Sequence, residues 1–190
     1  MEEKKEIDII RSVLGGDRDL YALLVDTYKV PIFNLAYRMT GSYEDASDLA
    51  QETFTKAFEN LASFDQEKKF FAWLYTIGLN LVRNHLKKGK KIPLSTFAED
   101  TDFSSRDKSL NPEHSLMRDQ KVKRLNVCLH RLSDTLKEAV VLRFYQELSF
   151  EEIAEITGLS LSAAKMRAYR GLEKIREMME EESGESDRRL

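Results

Sequence analysis

Leu148-Ser149-Phe150-Glu151-Glu152-Ile153-Ala154-Glu155-Ile156-Thr157-Gly158-Leu159-Ser160 is the stretch that decides the fold. Ser149 and Glu152 stand three apart, the spacing of a capping box, whose hydroxyl and carboxylate satisfy amides that a helix start leaves without partners. Leu148 and Ile153 take the hydrophobic-staple positions around that cap, and Phe150, Ile153 and Ala154 are expected to face inward. Gly158 falls where the chain must turn through positive φ after a short helix. Ser160 can then cap the next helix. A short capped helix, a glycine turn and a second amphipathic helix make a helix-turn-helix.

The second helix, over about 161–178, is expected to bury Leu161, Ala164, Ala168, Leu172 and Ile175, which step by three and four. Its outer face carries Ser162, Lys165, Met166, Tyr169 and Arg170, with Arg167 and Lys174 at the margins. Lys and Arg there can reach phosphates and guanine edges, and Tyr and Met can meet thymine methyls. An ordinary solvated helix would also be charged outside, but the complete cap, turn and helix favour DNA binding.

Outward from this motif the periodicity is helical, with no convincing strand alternation, so the fold class is all-α. Further helices are expected at about 17–39, 43–60, 69–88, 118–131 and 134–146, with Pro31 starting a new turn or kinking the first. Residues 92–119 hold Pro93, Pro112 and several Ser and Asp with little periodicity, and read as a flexible linker. Their 28 residues would span about 30 Å as a coil and at most about 90–100 Å stretched. Two small helical domains follow, 1–91 and 120–179, with an acidic tail at 180–190 expected to fray.

The net charge of −3 argues against a nucleic-acid binder until the chain is divided. Residues 61–91 hold seven basic against two acidic side chains, and residues 121–179 eleven against eight. Local positive potential is what phosphates respond to. The first basic segment lies on a helix where Phe70, Leu74, Ile77 and Leu81 form one stripe and Thr76, Asn80, Arg83 and Lys87 another, with Trp73 between them. Such a face can stack on unpaired bases while holding the backbone, or it can be core aromatics beside a solubilising helix end. The residues alone leave both open.

The preceding helix carries Asp45, Asp48, Leu49, Gln51, Glu52, Phe54 and Phe58, an acidic patch suited to protein docking or to solvent. Paired carboxylates could serve acid–base catalysis or a metal, but no His, Cys or phosphate loop accompanies them, so neither an enzyme nor a metal or cofactor site is expected. Cys128, the single cysteine, cannot form an internal disulfide, which fits a reducing cytoplasm. The charged Met1 to Glu6 argues against a secretion signal, and no apolar run is long enough for membrane insertion.

Taken in order, these segments resemble the extracytoplasmic-function (ECF) sigma factors, the smallest members of the sigma-70 family. Asp45 to Phe54 is similar to their region 2.2, and Phe71-Ala72-Trp73-Leu74-Tyr75-Thr76-Ile77 with Asn80 to region 2.4. Arg143-Phe144-Tyr145, Leu148 to Ala154, and Lys165, Arg167 and Arg170 resemble region 4. The resemblance implies a region 2 domain and a region 4 helix-turn-helix domain, no enzymatic activity, and an alternative sigma factor that brings core RNA polymerase to promoter DNA. Asp45, Asp48, Gln51, Glu52 and Phe54 would dock on the β′ clamp helices. Asn60, Phe64, Asp65, Phe70, Trp73, Asn80, Arg83 and Lys87 would melt and capture the minus-10 element, with a flipped base held near the Phe64-Asp65 loop. Ser162, Lys165, Met166, Arg167, Tyr169 and Arg170 would read the minus-35 duplex, while the rest of region 4 meets the β flap. An anti-sigma factor is the further partner implied. Departures from the family pattern are Gly78 for Ala, Asn84-His85 for Asp-Arg, and Ala164 and Met166 for Val and Ser. The rival is a conventional helix-turn-helix repressor or activator with an N-terminal dimerisation or effector domain. It would leave the acidic patch and the basic aromatic helix without a shared purpose.

Overall fold

The computed structural model describes the backbone of residues 3–89 and 112–187, and the side chains of 4–89 and 120–181. Every regular element among the described residues is helical. The N-terminal group is α1 (Glu3–Leu14), α2 (Tyr21–Thr40), α3 (Tyr43–Glu59) and α4 (Phe70–Lys87). The C-terminal group is α5 (Pro112–Arg131), α6 (Asp134–Val140), α7 (Phe150–Thr157) and α8 (Leu161–Asp187).

Local chemistry sets most of the boundaries. Gly41 ends α2 in the left-handed region at φ 75°, and Ser42 caps α3 by accepting from the Asp45 amide at 3.2 Å. The capping box at Ser149 and Glu152 has both of its hydrogen bonds, and Gly158 turns the chain at φ 70°. Ser160 accepts from the Ala163 amide at 3.2 Å and starts α8.

Several expectations are corrected. α1 lies ahead of the first expected helix; it buries Ile10 and Val13, and its Glu6 carboxylate accepts from the Tyr28 hydroxyl at 2.6 Å. α2 runs through Pro31 without ending. α5 begins at Pro112, inside the stretch read as linker; proline at a first helical position forfeits no hydrogen bond. Residues 92–111 of that linker lie outside the described residues. The helix expected over 134–146 changes at Val141 into a π-helical turn, Val141–Tyr145, closed by Glu147 at φ 56°. α8 continues into the acidic tail instead of fraying at 180, anchored where Arg124 of α5 donates to the Met179 carbonyl at 3.3 Å. On α8, Ala164, Ala168, Gly171 and Ile175 are the buried set, whereas Leu161 and Leu172 are 38% and 43% exposed. Steps of four, three and four keep the inner line at 164, 168, 171 and 175, which leaves 161 and 172 at its margins.

In the N-terminal group, Leu24, Ile32, Leu35 and Met39 of α2 meet Ala46 and Leu49 of α3 and Leu74, Leu79 and Val82 of α4. Gly78 lets α3 and α4 approach closely, because a Cβ there would lie 3.3 Å from the Thr53 hydroxyl. That close approach offsets its helix-propensity cost of up to about 1 kcal/mol. In the C-terminal group, Leu129, Val141, Leu142, Ile153, Ile156, Ala164 and Ile175 are buried. The two groups pack directly on each other, α4 against α7 and α2 against α6 and the π turn.

Candidate nucleic-acid interface

Three surfaces carry the residues singled out by the sequence. The first is on α8. Ser162, Lys165, Met166, Tyr169 and Arg170 are exposed, Met166 and Tyr169 by half or more, and Arg167 is partly covered at the margin. Among the described residues none of Lys165, Arg167 and Arg170 forms an ion pair. Phe150 of α7 supports this face from beneath: the Tyr169 ring lies 5.7 Å from it, and the Lys165 ammonium and Arg143 guanidinium stand 5.8 and 5.0 Å from its centroid. The capping box that fixes Phe150 therefore also positions the readers. Burial alone would raise the Glu152 carboxyl, but the Ser149 amide and hydroxyl and nearby Lys69 bring it below its ordinary value. The cap is ionised at neutral pH.

The second surface is α4 with the turn before it. Phe64 and Phe70 do not belong to it as contact residues. They are 6% and 1% exposed and pack at a tilt against Trp73 at ring separations of 5.3 and 5.7 Å, so neither can offer a face to a base. Their place is under the site, holding Trp73. Asp65 is exposed and accepts from the Glu67 amide at 3.1 Å. A recess of about 400 Å³ opens between the end of α3 and α4, lined by Lys56, Asn60, Ser63, Trp73, Asn80 and Asn84 among others. Lys56, Ser63 and Asn84 were not singled out beforehand; Asn84, four beyond Asn80 on one helix, could have been. Lys87 is exposed one turn beyond Arg83.

Arg83 is 32% exposed and is tied to the C-terminal group. Its Nε and Nη2 donate to the two carboxylate oxygens of Glu138 on α6 at 2.8 and 2.6 Å, and Nη1 reaches Asn80 at 3.3 Å. The hydrogen bond to Glu138 holds the guanidinium above its ordinary pKa.

The third surface is on α2 and α3. Asp48, Gln51 and Glu52 are exposed, Glu52 pairing with Lys56 at 3.6 Å. Asp45 is largely covered and lies 3.5 Å from His85 of α4, and Phe54 is 9% exposed. Gln51, Phe54 and Phe58 line one wall of an open groove of about 890 Å³, with Tyr21 and Val25 opposite. An apolar floor bounded by Asp26, Lys29, Arg18 and Gln51 suits a protein segment better than a small charged molecule. Among the described residues no group of His, Cys, Asp and Glu could hold a metal, and no helix is long and apolar enough to cross a membrane.

Residues 24–92 match the sigma-70 region 2 family, and residues 123–175 match sigma-70 region 4. The helical fold with its paired regions defines a sigma-70 family member, and the chain belongs to that family. Within it the chain is an ECF sigma factor: an alternative, non-enzymatic subunit that binds core RNA polymerase and directs promoter-specific initiation, not a conventional repressor. It is 32% identical over 180 residues to the ECF RNA polymerase sigma factor SigW of Bacillus subtilis, covering 90% of this chain and 94% of that one. It is 31% identical over 181 residues to the RNA polymerase sigma-H factor of Pseudomonas aeruginosa, covering 92% and 94%. In fold it is similar to CnrH in complex with the cytosolic domain of CnrY, with a TM-score of 0.68, 23% identity and coverage of 92% and 96%. It is also similar to RpoE of Bartonella quintana in complex with the anti-sigma factor NepR, with a TM-score of 0.64, 21% identity and coverage of 84% and 96%.

Proposed function

We propose that the work of initiation is divided among the three surfaces. Residues 1–91 form the region 2 domain. Its α3 patch of Asp48, Gln51 and Glu52, with the apolar groove beside it, docks on the β′ clamp helices, and Asp45 and Phe54 shape the patch from beneath. The recess bounded by Asn60, Trp73, Asn80 and Asn84 receives a base flipped from the minus-10 element. Arg83 and Lys87 hold the backbone of that strand. Residues 120–179 form the region 4 domain, whose α8 face reads the minus-35 duplex while the remainder meets the β flap. The single observation that carries this division is the pairing of an exposed, unpaired basic face on α8 with a recess of about 400 Å³ on α4 that mixes amides with Trp73, Ile77 and Leu81. The relatives solved with inhibitors support an anti-sigma factor as a further partner, and action on chromosomal promoters supports a cytoplasmic location.

The test uses purified core polymerase. Asp48→Arg is expected to abolish association in sedimentation while leaving the circular dichroism of the chain unchanged, because Asp48 is exposed and structurally free to change. Undiminished association would refute the docking assignment.

A further inference from the structure

Glu6 is a buried carboxylate that none of the three surfaces uses. It stands on α1 in line with Ile10 and Val13, at the steps of four and three that form the inner face of that helix. At 5% exposure it carries a desolvation cost that a leucine in the same place would not, and such a group is tolerated where a hydrogen bond meets it. Here the Tyr28 hydroxyl of α2 donates to it at 2.6 Å. The Tyr28 ring is thereby held at its far end, 5.8 Å from the ring of Phe70 at the start of α4. Phe70 in turn packs on Phe64 at 5.5 Å and on Trp73 at 5.7 Å. Trp73 forms a wall of the recess assigned to the flipped base. The path from α1 to that wall is Glu6, Tyr28, Phe70 and Trp73, each touching the next.

A second contact from the same helix reaches the turn that precedes α4. Arg11 Nε donates to the side-chain oxygen of Gln66, the neighbour of Asp65, at 2.9 Å. The turn closes on itself where the Lys68 amide donates to the Asp65 carbonyl at 3.0 Å and the Glu67 amide to the Asp65 carboxylate at 3.1 Å. Arg11 ties that closed turn to a helix. α1 also packs against the short turn Leu61–Ser63 and against α4. It therefore holds the segment before α4 directly and the aromatic cluster behind it through Tyr28. Residues 3–14 lie ahead of the residues 24–92 that match region 2, so these contacts come from outside the matched stretch.

We propose that α1 is a brace for minus-10 capture, in which Glu6, through Tyr28, and Arg11, through Gln66, are positioning residues that set Trp73 and the turn before α4 for the incoming strand. The inference rests on the assignment of the recess to that strand. Glu6 and Arg11 act without touching DNA. Each narrows the orientations open to the recess wall before the strand arrives, so less freedom is lost on binding. Without its hydroxyl the Tyr28 ring stays in place but is no longer pinned. Affinity for the strand then falls by about three- to tenfold, the net contribution of one hydrogen bond.

The experiment uses the full chain, alone and with core polymerase. Trp73 is the one tryptophan of the chain, so its quenching by acrylamide in the free protein reports the recess wall directly. Tyr28→Phe removes the hydroxyl and strands the Glu6 carboxylate. The double variant Glu6→Leu/Tyr28→Phe removes both polar groups, which is nearly neutral for stability. Arg11→Ala alters an exposed side chain and leaves the core untouched. The DNA probes are the minus-10 single strand and the minus-35 duplex of a promoter that the parent holoenzyme selects from random duplexes. All three variants are expected to quench more readily at Trp73 and to bind the single strand about three- to tenfold more weakly. Binding of the minus-35 duplex and association with core are expected to stay at the parental level. In the double variant the melt returns toward the parent while strand affinity stays low, which a merely structural role would not produce. Strand affinity that recovers together with the melt, or parental Trp73 quenching in both the double variant and Arg11→Ala, would overturn the brace. Altered quenching with full strand affinity would instead leave α1 as the support of Trp73 and count against the recess as the site of the strand.

Discussion

His130 of α5 should make the protein lose stability on mild acidification. Burial, then the positive charges of Lys137 on α6 and Arg38 on α2, lower its pKa from 6.5 to about 3. The imidazole is thus neutral in the folded chain throughout the range in which an unfolded chain takes up a proton. Below pH 6.5 the unfolded state binds more protons, so stability is fully present above that pH and is lost as pH falls toward 3. At pH 5.5, one unit below the unfolded value, the loss attributable to this group is up to about 1.4 kcal/mol. For a chain of this size that corresponds to roughly 3–6 °C in Tm. Thermal melts of the parent and His130→Gln at pH 7.5 and 5.5 isolate the contribution, since carboxylates titrate equally in both. The parent should lose more of its Tm on acidification than the variant by that amount. Parallel losses would refute the reasoning and mean that His130 is already hydrated in the folded chain.

Other outcomes follow from single contacts. Gly171→Ala places a Cβ 2.5 Å from Val140 Cγ2 and 3.2 Å from the Leu136 carbonyl. Overpacking of about 1–3 kcal/mol should outweigh a helix-propensity gain of about 1 kcal/mol, and a raised urea midpoint would contradict it. Ser149→Ala removes the acceptor of the Glu152 amide and the hydroxyl donor to its carboxylate. It should cost about 1 kcal/mol, with minus-35 binding weakened because Phe150 loses its setting; an unaltered melt would dismiss the cap. Arg170→Ala should reduce promoter-specific initiation by about 1–3 kcal/mol if the side chain meets a base. Equal loss on every template in competition transcription would make it a phosphate contact only.

What could be foreseen from the chain was what is decided locally. The Ser149–Glu152 cap, the left-handed Gly158 and the Ser160 cap are fixed within a few residues, and α7 and the start of α8 fall where they were expected. Asp48 and Glu52 of α3 and the α8 outer face were also visible, because exposure follows from helical periodicity, whereas the cover that His85 gives Asp45 was not. Aromatic residues beside polar ones were harder, since Phe64 and Phe70 could stack on bases or on each other, and only packing with Trp73 and Tyr28 decides it. Contacts between the two groups of helices were not legible at all. Arg83, Glu138 and Gln146 look like solvated residues in sequence, and nothing local marks two of them as partners 55 residues apart.

The character of that interface bears on how such a subunit can be switched. If α4 met α6 and α7 through a broad apolar seam, opening would expose hydrocarbon at about 25 cal/mol per Å², and core polymerase would have to supply all of that energy. Beside Arg83 the contacts are a charged fork, a glutamine bridge and a threonine hydroxyl, while elsewhere apolar residues of both groups join one buried cluster. Each of these groups regains hydrogen bonds to water when the seam opens, so the net worth of each bond is only about 0.5–1.5 kcal/mol, with the charged pair somewhat above that. The polar part of the seam therefore makes the packing of the two groups specific while adding little to its depth.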